Sequence, residues 1–329
     1  MDTILEDFAR WVKSKGLTSK VPTDIEKLKN ISVLDLSKCK IRELPSSIGF
    51  LPNLIVLKLS NNRLEELPKS IGNLKKLKNL QCENNLLKEL PDSIGALESL
   101  IILNLNGNRL KSLPQSFAKL TKLTRLTIAA NMLESIPSDL KKLKKLLYFS
   151  LDTNRLKEIP EIFSDMYSLY YLDLSYNDLT HLPKSLGDIQ ELETLLLEGN
   201  QIQDLPSLEL HDMLIKLNLN DNDLVTIDFD LSALEDLQIL TLDNNHLEYL
   251  PDSLCKLKKL NHLSVSANKL KKLPECIGEL ENLLELDIEE NFIQEYPESF
   301  SKLTKLKNLY IQENSLERPE LPNLEFCDL

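Results

Sequence analysis

An asparagine returns every 23 residues along the chain. It stands at Asn62, Asn85, Asn108, Asn131, Asn154, Asn177 and Asn200 and then, after one step of 22, at Asn222, Asn245, Asn268, Asn291 and Asn314. Cys39 fills the slot one period before Asn62, so thirteen copies cover roughly residues 28–329 of the 329. Length alone suggests two domains, but self-similarity at a fixed short period indicates stacked units, each touching only its neighbours. Around each Asn runs a frame L-x-x-L-x-L-x-x-N-x-L, as in Leu54, Leu57, Leu59, Asn62 and Leu64, or Leu169, Leu172, Leu174, Asn177 and Leu179. The L-x-L alternation is the period of a short strand with one apolar face. A unit this small cannot bury its own Leu, whereas stacked units can, and Leu accordingly makes up 75 of the 329 residues. Thirteen parallel strands at about 4.8 Å spacing give an inner edge on the order of 60 Å. The Asn amide carries donors and acceptors, which predicts that it satisfies backbone groups of its own coil and the next.

Each Asn frame is followed by L-P-x-x-I-G-x-L, as in Leu67, Pro68, Ile71, Gly72 and Leu74. Together the two motifs resemble the leucine-rich repeat family in its 23-residue intracellular class, over about nine-tenths of the chain. The resemblance implies an α/β solenoid of horseshoe form, with a parallel concave sheet and short helical or 3-10 turns on the convex side. Eleven of the 15 Pro share one slot, from Pro45 to Pro297, with Pro319 one residue short of it, and a fixed φ there suits the entry to a helical turn. The exception at Ile227-Asp228 predicts an irregular segment near residues 203–233. Ile4, Leu5, Phe8, Trp11 and Val12 form one helical face before Gly16, which predicts an amphipathic helix covering the first coil. The expected organisation is therefore an N-terminal capping helix and half repeat over 1–27, a solenoid over 28–316 and a C-terminal cap over 317–329. In that cap Leu321, Leu324 and Phe326 are expected to fold over the last coil.

Enzyme chemistry is not visible. No Gly-rich phosphate loop, HExxH or nucleophile elbow occurs, and the four His (181, 211, 246 and 262) fall at different repeat phases. His246 and His262 stand about seven strand positions apart, roughly 20 Å, too far to share a metal. No catalytic residue, metal or cofactor is therefore predicted. Five Cys without paired spacing read as reduced cytosolic thiols; Cys255 and Cys276 fall on the outer side, one coil apart in near phase, and read as structural thiols. No apolar run approaches 18 residues, and Asp2, Glu6 and Asp7 interrupt the first ten, so neither membrane insertion nor a secretory signal is expected.

Charge is strongly polarised. Residues 1–150 carry a net of +10 and residues 151–329 a net of −22. Such a field orients and accelerates charged partners. On the concave face the repeat frame places Tyr148 beside Tyr171. Tyr176 and Leu196 extend that patch, and Asp152, Asp173, Glu198, Asp221 and Asp243 form an acidic row past it. Tyr is rigid and amphipathic, and an aromatic patch inside an acidic rim suits a basic protein segment. The basic half offers Lys58, Arg63, Lys78, Arg109, Arg125 and Arg155, suited to an acidic or phosphate-rich partner. Nucleic acid is not expected, because paired aromatic platforms are missing there and the acidic half repels a long backbone.

By resemblance, the L-P-x-x-I-G-x-L class includes Ras-pathway scaffolds, plant relatives of them and effectors of intracellular bacterial pathogens. With 32 Lys against 7 Arg and no Asn or Gln runs, the composition points to a bacterial effector from an AT-rich genome. Such a protein would be made in the bacterial cytoplasm and reach the host cytosol by a non-classical route. It would act as a monomer that binds a protein partner through its concave face. The alternative is a resident intracellular scaffold or regulatory subunit for a signalling enzyme or small GTPase.

Overall fold

The computed structural model describes residues 2–328. Its contacts divide the chain into two compact units, Met1–Leu156 and Lys157–Leu329. Both are built from one recurring coil: a three-residue strand, a loop, a short 3-10 turn on the opposite side and an extended return.

In the first unit, α1 (Asp2–Ser14) buries Leu5, Phe8, Ala9 and Val12 against α2 (Ile25–Asn30) and the turn Ser46–Phe50. Gly16 ends α1 in the left-handed region, at φ 67°. The N–H groups of Gly16 and Leu17 donate back to Lys13 and Val12, which closes the last helical turn. Asp24 caps α2 by accepting from the Lys27 N–H at 2.9 Å. Six parallel strands follow, β1 (Val33–Asp35), β2 (Val56–Lys58), β3 (Asn79–Gln81), β4 (Ile102–Asn104), β5 (Arg125–Thr127) and β6 (Tyr148–Ser150). Each pairs one full repeat later, so that Leu34, Leu57, Leu80, Leu103, Leu126 and Phe149 stack at the centre.

The second unit carries eight parallel strands, β7 (Tyr171–Asp173), β8 (Thr194–Leu196), β9 (Lys216–Asn218), β10 (Ile239–Thr241), β11 (His262–Ser264), β12 (Glu285–Asp287), β13 (Asn308–Tyr310) and β14 (Phe326–Asp328). The register repeats throughout, with Leu172, Leu195, Leu217, Leu240, Leu263, Leu286 and Leu309 in line. β14 pairs Phe326 with Asn308 and Cys327 with Leu309. The stretch expected to fold over the last coil thus extends the sheet there, and Phe326 stays 47 % exposed. Between β8 and β9 no helical turn forms, and residues 201–208 carry no regular secondary structure. The next coil has no Pro in the usual slot, and Asp230 caps its short turn Leu231–Ala233 by accepting from the Ser232 N–H.

The Asn slot explains the coil. Asn108 accepts the Leu87 N–H at 3.0 Å and donates to the carbonyls of Cys82 and Leu105 at 3.0 and 2.9 Å. Asn245 repeats the set with Leu224, Leu219 and Leu242. The amide therefore bonds its own coil and the preceding one, not the following one as the sequence suggested. Cys39 follows from this, since its coil has no earlier strand to serve. The residue before each of the twelve ladder Asn is left-handed: Gly107 and Gly199 at two sites, and residues such as Asn61, Thr153 and Glu290 at the others. Each non-glycine there costs about 1–2 kcal/mol, which the Asn bonds offset.

Cysteine pairing departs from the sequence reading. Cys255 and Cys276 are joined as a disulfide with Cα atoms 5.8 Å apart, while Cys39, Cys82 and Cys327 are free. The two positions differ by two residues in repeat phase, and the stagger between adjacent 3-10 turns makes up that difference.

Replacing Asn108 with Ala removes a buried acceptor and two donors together. We expect a loss of about 1–3 kcal/mol in urea unfolding. An unchanged midpoint would contradict the ladder.

Candidate partner-binding faces

Along each strand the outer residues alternate with buried Leu, so each sheet presents one face to solvent. In the second unit this face is acidic and aromatic. Tyr171 on β7 donates its hydroxyl to Asp173 at 3.3 Å, and Asp173 accepts the Ser175 N–H at 3.0 Å. Leu196 follows Asp173 in register on β8. The five carboxylates assigned to one row do not share a phase. Glu198 and Asp243 occupy equivalent positions just past the strands, as does Asp152 in the first unit. Asp173 lies on its strand, and Asp221 is in a left-handed turn at φ 54°.

Tyr176 is likewise off the strand, at φ 53°. Its ring lies over Gly199, where an added Cβ would stand 2.5 Å from Tyr176 Cδ1, and its hydroxyl donates to Glu198. That hydrogen bond is the main reason its phenol is pushed up to about 12. Glu198 also accepts from Asn218 at 2.8 Å, and Asn218 in turn accepts from Thr241 at 2.9 Å. Asp243 accepts from Ser264 Oγ at 2.5 Å and the Ser266 N–H at 2.8 Å. The carboxylates are thus held in place by polar bonds between coils, which lowers the entropy cost of ordering them on a partner.

A second group on this face was not anticipated. Burial and then the charge of Asp243 raise the carboxyl pKa of Asp287 on β12, although the Glu289 N–H opposes this by donating to it. The Tyr310 phenol is raised by burial and by Glu285, Asp287, Glu289 and Asp328. The rings of Tyr310 and Phe326 lie 5.4 Å apart, and His262 Nδ1 is 3.6 Å from Glu285. The sequence signal was available, because Asp287 and Tyr310 repeat the phase of Asp173.

In the first unit, Tyr148 is half-buried under the Arg125 guanidinium, 3.7 Å from the ring centroid. Lys58 lies on β2, two strand positions from the phase of Arg125. Arg63, Arg109 and Arg155 stand directly after ladder Asn residues, exposed, with their N–H groups fixed to the preceding coil at Ile41, Leu87 and Leu133. They form one column beside the sheet rather than on it. Lys78 is exposed at the entry to β3.

Among the described residues, no group of three or more His, Cys, Asp or Glu is placed to hold a metal ion. No helix there is long and apolar enough to cross a membrane. His246 and His262 each face a carboxylate, Asp223 and Glu285.

Comparison with known proteins agrees with this geometry. A leucine-rich repeat region model matches residues 10–87, 69–166 and 229–326, and a second leucine-rich repeat model matches residues 144–202. A leucine-rich repeat protein of Leptospira interrogans is 33 % identical, with 91 % of this chain and 88 % of that one covered and a TM-score of 0.73. The chain belongs to the leucine-rich repeat family. Both of its units are solenoids of such repeats, a fold that generally mediates protein–protein interaction and is typically not enzymatic. The plant peptide hormone receptor RGFR1, solved in complex with RGF2, is 26 % identical at a TM-score of 0.73. There 87 % of this chain and 52 % of the receptor are covered. The Toll–Spatzle complex of Drosophila is 25 % identical at a TM-score of 0.75, covering 91 % of this chain and 42 % of that one. No curated protein sequence matches the chain.

Asp287 gives a signed pH prediction. A carboxyl whose folded pKa is raised adds stability only in acid, and that contribution is lost as pH rises through the folded value. Asp287→Asn keeps an acceptor for the Glu289 N–H and removes the charge. Its thermal midpoint should exceed the wild type's at about pH 7, and the gain should vanish near pH 3. A lower midpoint at neutral pH would refute the burial account. Separately, Glu198→Gln should move the Tyr176 phenol down from about 12 toward the ordinary range, read by absorbance titration.

Proposed function

We propose that this leucine-rich repeat protein recognises a protein partner through its solvent-facing strand faces, and that the second unit takes a basic segment. The observation that carries this is the strand face of the second unit. Tyr171 and Asp173 there bond to each other within one coil, and Glu198 and Asp243, just past the strands, are held by bonds between coils, in a unit whose net charge is −22. Lys and Arg side chains fit such a face by pairing with the carboxylates while their stems lie along the Tyr rings. In the first unit, Lys58, Arg63, Arg109 and Arg155 suit an acidic or phosphate-bearing segment, whereas the Arg125 charge is partly spent on Tyr148. Protein ligands on the plant receptor and on Toll support a protein partner here.

A bacterial effector acting on a host protein is the role we favour. Similarity to the Leptospira interrogans protein and the 32:7 ratio of Lys to Arg support a bacterial source. A resident scaffold or regulatory subunit would use the same faces without export. A translocation-reporter fusion separates the two, since a chain that never leaves the cell cannot be an effector.

The binding reading is tested by affinity capture from eukaryotic lysate at two salt concentrations. The wild type is run beside a Tyr171→Ala/Asp173→Lys/Glu198→Lys variant of matched thermal midpoint. The expected result is a partner lost at least tenfold by the variant and weakened by salt in the wild type. A partner held equally by both proteins would remove the acidic face from the site.

A further inference from the structure

At the 3-10 turns adjacent coils approach each other closely at Gly. A Cβ built on Gly49, Gly72, Gly95 or Gly278 would stand 2.0, 2.4, 2.2 or 1.9 Å from the carbonyl oxygen of Ser70, Ser93, Ser116 or Ser299. Each Gly is thus set against the Ser found 21 residues later, in the next coil. Cys255 and Cys276 are also 21 residues apart. Cys255 fills the Gly slot of its coil, and Cys276 fills the Ser slot of the coil that follows. Both members of this one contact are therefore replaced together, by the residue pair that turns a steric conflict into a bond. The turn around Cys276 differs as well. Turns such as Lys69–Asn73 run for five residues with Pro at the N-cap, whereas this one is shortened to Ile277–Glu279 with Cys276 at its N-cap. Cys255 is fully buried and Cys276 is partly exposed, so an exchanging thiolate has access through Cys276. Neither Cys39, Cys82 nor Cys327 is paired.

We infer that Cys255 and Cys276 are a structural disulfide acquired in an oxidising compartment, so that the protein works outside the reducing cytosol. In the reaction each thiol gives up its proton and one electron, and the two sulfurs join. The two electrons and two protons pass to a disulfide donor of the glutathione or oxidoreductase class, which leaves as two thiols. The bond closes a loop between adjacent coils and limits the unfolded chain, the usual source of such stabilisation. The thiol argument for a cytosolic protein does not hold for this pair, and the inference stands whichever partner the strand faces bind. It favours an exported protein that meets its partner outside the cytosol over delivery into the host cytosol and over a resident intracellular scaffold.

The test is production of the full chain in one bacterial host, both in the cytoplasm and directed to the periplasm, with thiols alkylated before lysis and mapped by mass spectrometry. The periplasmic chain should yield a cross-linked 255–276 peptide and three alkylated cysteines, and the cytoplasmic chain five. The thermal midpoint of the periplasmic chain should fall by about 5–10 °C on reduction. A Cys255→Ala/Cys276→Ser variant should match the reduced value and be insensitive to reductant. Five alkylated thiols from the periplasm, or equal midpoints before and after reduction, would overturn the structural bond. A complete bond in the cytoplasmic chain would overturn the compartment. Reduction of the wild type reads out the effect even if the variant fails to fold.

Discussion

Within each unit, the hydrogen bonds of one side chain, the ladder Asn, hold a coil to its predecessor. Leu burial supplies most of the driving force, with each buried Leu contributing about 1.5–3 kcal/mol. Burial is non-directional, however, and does not set where one coil sits on another. The Asn does, by taking an N–H and a carbonyl from the preceding coil and a carbonyl from its own. It also offsets the left-handed residue before it, which turns the chain out of the strand. With the coil fixed in this way, the outer strand positions become a regular lattice on which side chains vary freely.

That lattice carries the candidate function. The same backbone displays Lys58 and Arg109 in one unit, and Asp173 and Glu198 in the other. Selectivity then rests on which side chains occupy equivalent positions rather than on a pocket. Burial first, and neighbouring carboxylates after it, raise the carboxyl pKa values of Asp287 and Glu289, so these two sit where like charges oppose ionisation. A basic ligand would relieve that repulsion on binding, so part of its affinity comes from strain already present in the free protein.

The repeating parts of the fold were legible in the sequence, because Leu alternation and the Asn period are local signals. What escaped was set by geometry between coils. Tyr176 and Asp221 were placed on the sheet by counting, but the left-handed turn before each Asn removes them from it. Cys255 and Cys276 read as structural thiols although they lie one coil apart in near phase, and the stagger of neighbouring turns covers the remaining two residues. β14 was hidden because Cys327 takes the place of the expected Leu. At Tyr171 and Asp173 the count was right, since strand positions propagate without slip.

The ladder also has a direction. Within each unit the Asn side-chain amides reach back toward the N-terminus, as at Asn108 and Asn245. A coil leaving the ribosome therefore finds its acceptors and donors already in place on the coil made before it. The unfinished surface always lies on the newest coil. Assembly can proceed like a zipper closed from one end, with the chain emerging in the order in which its hydrogen bonds can form.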